Sequence, residues 1–127
     1  MTSTRILVVE DNPKNMKLVR DVLEHAGYEV IEATSGEDGV RLAELERPQL
    51  ILMDLQLPGI DGAEALRRIR DGRDGRDVPV VAVTAFAMDE DRTRAFASGF
   101  DGYVEKPINV RNFREQVQGF LDRGGPP

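Results

Sequence analysis

ILMDLQLPGIDG, residues 51–62, carries an apolar run into an aspartate, Asp54, and from there straight into a Pro-Gly turn. A short continuous run of this kind fits a strand covered on both faces, as in a parallel sheet, better than a strand with one wet face. Asp54 at its exit is then either a surface strand terminator or a reactive carboxylate.

The same unit recurs in both directions. Residues 6–9 form a second apolar run, followed by Met16, Val19, Val22, Leu23 and Ala26 at helical spacing, with Gly27 where a helix C′ residue belongs. Residues 28–33 alternate as a strand. Ser35 and Asp38 open a helix through Val40, Leu42, Ala43 and Leu45 that stops at Pro48. After residues 50–53, Asp61 and Glu64 start a helix with Ala65, Leu66 and Ile69, and the charged loop DGRDGRD (71–77) leads to a strand over 78–84. A last strand covers 102–105. Asn109 caps a final helix carrying Val110, Phe113, Val117, Phe120 and Leu121, before a GGPP tail expected to be disordered. The expected division is one domain over 1–123 with a tail over 124–127. Alternating strands and helices imply right-handed crossovers, and hence an α/β fold with a doubly wound, five-stranded parallel sheet, (βα)5 and flavodoxin-like, in strand order 2-1-3-4-5.

Composition narrows the function. The chain has 127 residues, enough for one self-sufficient core, and its 17 Lys and Arg against 23 Asp and Glu give a formal charge of −6. Such a field repels phosphate backbones and anionic lipids, so neither nucleic acid nor membrane is an expected partner. Cysteine is absent, which excludes disulfides and thiolate metal sites. The N-terminal sequence has no secretory pattern, and a cytoplasmic protein is expected.

Functional groups in open α/β sheets collect at the carboxyl ends of the strands. Glu10 and Asp11 follow the first strand, Asp54 the third, Thr84 ends the fourth and Lys106 follows the fifth. Each has an ordinary explanation alone: a helix cap at Asp11 or Asn12, a strand end, a surface charge. Together they put three carboxylates, a hydroxyl and an ammonium on one rim. Gathered carboxylates repel unless a cation joins them, and an all-oxygen cluster suits Mg²⁺. Asp54 is then the nucleophile toward a phosphoryl group, with Thr84 and Lys106 meeting the new oxygens. Lysine occurs only at 14, 17 and 106 in a chain that otherwise uses arginine. Pro107 permits a cis bond that turns the Lys106 ammonium back over the rim.

VVEDN (8–12), DLQLPGIDG (54–62), VAVTAFA (81–87) and GYVEKPI (102–108) resemble the CheY-like receiver domain of two-component response regulators, in order across the whole chain. The resemblance implies Asp54 as phosphoacceptor and Mg²⁺ held by Asp11, Asp54 and the backbone carbonyl of Gln56, with Glu10 acting through water. It further implies Thr84 and Tyr103 as the switch pair and Lys106 as the phosphate-binding lysine. The acidic pair here is Glu-Asp where Asp-Asp is commoner. VEDNPKNMKL and VTAFAM are similar to single-domain cell-division regulators of the DivK type.

The implied donor is a sensor histidine kinase or histidine phosphotransferase. With Met1 and GGPP framing the chain, output is expected through a protein contact on the face of the fourth helix, the last strand and the last helix. Residues 89–98 offer only Ala95, Phe96 and Ala97 for burial, so that helix should dock weakly and move easily. A phosphate-shuttling receiver of a hybrid-kinase pathway is the nearest alternative. A Mg²⁺-dependent phosphohydrolase needs a second acid, where Gln56 stands instead; a flavin carrier needs a hydroxyl- and Gly-rich loop after the first strand, where EDNPKN offers acids; a structural binding module with a degenerate site is a further alternative, although every expected group is present. No enzymatic turnover is expected. His25, the only histidine, is read as a helix-end charge.

Overall fold

A computed structural model describes residues 4–72, 78–85 and 89–124. Positions 73–77 of the charged loop, 86–88 of VTAFAM and 125–127 of the tail lie outside the described residues. Ten elements alternate along the chain: β1 (Arg5–Val9), α1 (Pro13–His25), β2 (Glu29–Ala33), α2 (Gly36–Glu46), β3 (Leu50–Asp54), α3 (Gly62–Asp71), β4 (Val80–Thr84), α4 (Asp89–Ala97), β5 (Gly102–Glu105) and α5 (Val110–Gly124). The five strands pair in parallel in the order β2-β1-β3-β4-β5.

Period-two alternation sorts the strand residues onto two cores. Ile6, Val8, Leu50, Leu52, Val81 and Val83 face one way, against Met16, Val19, Val22 and Leu23 of α1 and Phe113, Val117 and Phe120 of α5. Leu7, Val9, Ile51, Met53, Val80 and Ala82 face the other way, against Ala65, Leu66 and Ile69 of α3 and Ala95 of α4. Both sides of β3 and β4 are therefore covered, which is why their sequences read as continuous apolar runs.

Caps set the helix ends. Asn12 accepts from the N–H groups of Lys14 and Asn15 and starts α1 ahead of Pro13. Gly27, at φ 97°, ends it in a Schellman turn: Tyr28 N–H reaches Leu23 O and Gly27 N–H reaches Glu24 O, both at 3.0 Å. Ser35 accepts from Asp38 N–H, and Asp61 from Glu64 N–H. Glu64 does not close a reciprocal capping box, because its carboxylate is engaged by Arg67 and Arg68.

Three expectations need correction. β4 begins at Val80 rather than 78, since Pro79 has no N–H to donate to the ladder, although its carbonyl still accepts from Ile51. Leu45 and Val110 are exposed at 67% and 48%, each at a helix end past the reach of the core. Gly124, the first residue of GGPP, belongs to α5.

Candidate functional site

The parallel sheet brings the carboxyl ends of β1, β3, β4 and β5 to one edge. Register places Asp54 beside Val83 and Thr84 beside Glu105, so the groups at 10, 54, 84 and 106 arrive together although up to 96 positions separate them. Asp54 is the last residue of β3 and only 7% exposed; Glu10 is 4% exposed and Thr84 fully buried. Asp11 is exposed. Carboxylate oxygens of Glu10, Asp11 and Asp54 lie within 4.8 Å of one another.

Lys106 reaches into this cluster. Its Nζ donates to Glu10 Oε1 at 2.6 Å and to Asp54 Oδ2 at 3.0 Å. The Lys106–Pro107 bond is cis, and Lys106 N–H donates to Thr84 O at 2.8 Å, which holds the exit of β5 against the end of β4. Backbone donors fix the carboxylates: Gln56 N–H to Asp54 Oδ1 at 3.0 Å and Asn12 N–H to Glu10 Oε2 at 3.2 Å. Burial, reinforced by Asp54 alongside, pushes the Glu10 carboxyl above the usual range against the pull of the Lys106 hydrogen bond. Burial also opposes the Lys106 charge, but its hydrogen bonds to Glu10 and Asp54 outweigh it and hold the ammonium above the ordinary lysine range.

Three negative charges against one positive leave two uncompensated at the rim, which matches one divalent cation. Oxygen donors from carboxylates on a partly open edge are the ligand chemistry of Mg²⁺. The donor set fits.

Thr84 shares side-chain parity with Val80 and Ala82, and so faces the α3–α4 side of the sheet. Tyr103 pairs with Ala82 in register, packs against the same core and is half-buried, with its phenol oxygen buried. The two expected switch residues thus occupy one face of adjacent strands. His25 is exposed near the end of α1 and away from the rim groups.

Sequence reasoning missed two features. One is that Lys106 already bridges two carboxylates. The other is how closely helices approach the site: a β-carbon built on Gly62 would lie 2.9 Å from Asp54 O. A glycine in the first turn of a helix, where propensity favours other residues, was the available signal.

Five parallel strands in this order, with an acidic trio, a hydroxyl and a lysine at their carboxyl edge, define a receiver module. The family model described as response regulator receiver domain matches residues 6–118, and the chain belongs to that family. It is similar to the polar-differentiation response regulator DivK of Brucella anthropi, at 45% identity over 116 residues covering 91% of this chain and 94% of the relative, and equally to DivK of Brucella abortus. Among solved structures it resembles the receiver domain of a sensor histidine kinase from Pseudomonas aeruginosa, which has magnesium coordinated in its active-site cleft. That match has a TM-score of 0.88 and 37% identity, covering 95% of this chain and 99% of the other. A response regulator from Chloroflexus aurantiacus matches with a TM-score of 0.90 at 29% identity, covering 96% and 100%. Among the described residues no helix is long and apolar enough to cross a membrane.

Proposed function

We propose that this chain is a cytoplasmic phosphoacceptor that takes a phosphoryl group from phosphohistidine onto Asp54 and changes a protein-binding face in response. The observation that carries the reading is the Lys106 ammonium set against both Glu10 and Asp54 inside an acidic trio. Charge-dense groups held this way at a sheet edge cost stability, which is warranted where the site must receive a phosphoryl group.

Asp54 attacks through a carboxylate oxygen, forming an O–P bond as the P–N bond of the donor breaks and its electron pair returns to the imidazole. Gln56 N–H and Lys106 Nζ each hold one Asp54 oxygen, which orients the nucleophile. Asp11, Asp54 and the Gln56 carbonyl would hold Mg²⁺, with Glu10 acting through water, and the bound ion would supply positive charge against the phosphoryl oxygens. After transfer, Lys106 and the Thr84 hydroxyl serve the added oxygens.

The phosphoryl group adds roughly −1.5 to −2 charges. Thr84 moving toward it frees space on the face it shares with Tyr103, and α4 is the element free to respond: of Ala95, Phe96 and Ala97, only Ala95 is buried. The α4–β5–α5 face is therefore the output surface, and its target is a protein.

Incubation with acetyl phosphate and Mg²⁺, read by intact mass, tests the assignment. One stable phosphoryl adduct on wild type and none on Asp54→Ala is expected. Catalytic release of many phosphates without an adduct would overturn it.

A further inference from the structure

The loop leaving Asp54 must keep Gln56 N–H on Asp54 Oδ1 and deliver Asp61 as the cap of α3. It is braced from outside by the first turn of α2. Gly36, buried at the start of that helix, lies so near Ile60 that a β-carbon on it would be 2.6 Å from Ile60 Cγ1 and 2.8 Å from the Ile60 carbonyl oxygen. Beside it, the Glu37 carboxylate lies against Gly59, whose φ of 76° suits glycine. One turn on, a β-carbon on Gly39 would be 2.8 Å from Val9 Cγ2, and Val9 directly precedes Glu10. Helix α2 thus bears on both halves of the acidic site without contributing a polar group to it.

Helix propensity argues against glycine at positions 36 and 39, so close approach is what these residues provide. Ile60, Leu55 and Leu57 of the same loop are each half-buried against one core, so a displacement at Ile60 is shared with the anchors on either side of Gln56. We propose that Gly36 is a positioning residue for phosphoryl acceptance, setting through Ile60 the placement of the loop that orients Asp54. This rests on the phosphoacceptor reading of Asp54 given above.

The test uses the full chain as wild type, Gly36→Ala, Ile60→Ala, the double variant and Gly119→Ala. The last is a control in α5, where nothing lies within 4 Å of an added β-carbon. Magnesium affinity is measured by calorimetry with MgCl₂ alone, phosphoryl uptake by mass gain from acetyl phosphate, and the Gln56 amide by NMR, at a temperature where circular dichroism reports folded protein. Gly36→Ala and Ile60→Ala should each weaken Mg²⁺ binding about tenfold, slow uptake and shift the Gln56 amide, with Gly119→Ala unchanged. The double variant should recover part of the affinity lost in Gly36→Ala, because alanine at 60 removes the Cγ1 contact and leaves only the Ile60 carbonyl oxygen, 2.8 Å from the new methyl, to shift; two independent structural losses would add instead. If Gly36→Ala does not fold, Ile60→Ala decides alone. Wild-type behaviour in both single variants overturns the positioning role, whereas failure of wild type to bind Mg²⁺ or gain phosphate overturns the parent reading.

Discussion

Replacing Lys106 with methionine keeps an unbranched side chain, shorter by the terminal nitrogen, and removes the ammonium with its charge and its hydrogen bonds to Glu10 and Asp54. The ammonium stands 2.6 Å from one carboxylate and 3.0 Å from another, and the side chains involved are 15%, 5% and 9% exposed for Lys106, Glu10 and Asp54. Gross attraction at such distances is several kcal/mol even at an effective dielectric constant near 20, but most of it offsets desolvation. What remains after the change is two adjoining buried carboxylates with no counter-charge. Removing one partner of a buried pair costs roughly 3–5 kcal/mol, and about 3 is expected here because Glu10 can relax by taking up a proton. For a chain of this size that is a fall of about 10 °C in melting temperature. Thermal unfolding is followed by circular dichroism, once in chelator and once in excess Mg²⁺. The methionine variant should show the full loss in chelator and recover more than half of it in Mg²⁺, since a bound cation takes over the charge balance. It should also bind Mg²⁺ more tightly than wild type, having lost a competing cation. A methionine variant as stable as wild type in chelator, or one that Mg²⁺ stabilises no more than wild type, would refute the claim that Lys106 is the resident counter-charge.

Asn12→Ala removes the cap that accepts from Lys14 and Asn15 N–H, and should cost about 1 kcal/mol in chemical denaturation. Glu64 gives a pH signature. Hydrogen bonds from Arg67, then Arg68, lower its carboxyl from 4.5 to about 2. A group depressed in the folded state contributes stability above its unfolded value and loses it as pH falls through the folded one. The Glu64 contribution should therefore be complete above pH 4.5 and vanish only toward pH 2. Carboxyl-detected NMR titration should place its midpoint there, and a midpoint near 4.5 would mean the Arg67 and Arg68 contacts do not persist in solution.

The strand and helix plan was legible because burial on two faces writes itself into one dimension: the runs at 6–9 and 50–53 became β1 and β3, and Gly27, Ser35, Asp61 and Asn109 became helix boundaries as local chemistry requires. Val110 and Leu45 misled for the same reason, since an apolar residue at a helix end keeps the pattern after the core has stopped. The candidate site was legible at strand exits as Glu10, Asp11, Asp54, Thr84 and Lys106, named from the topological rule for open parallel sheets, whereas Gln56 and Tyr103 were named only from the resemblance.

Residue type and order alone determined that four of the five strand ends would carry acids, a hydroxyl and a lysine to one edge, because parallel crossovers leave no other arrangement of those ends. Only the tertiary structure decided what these groups do to one another. The Lys106 bridge to Glu10 and Asp54, the raised Glu10 carboxyl and the brace of α2 against Ile60 depend on distances between residues far apart in the chain, and on burial that lowers the local dielectric. Coulomb energies and steric contacts are functions of separation in space, which a linear order of residues does not contain.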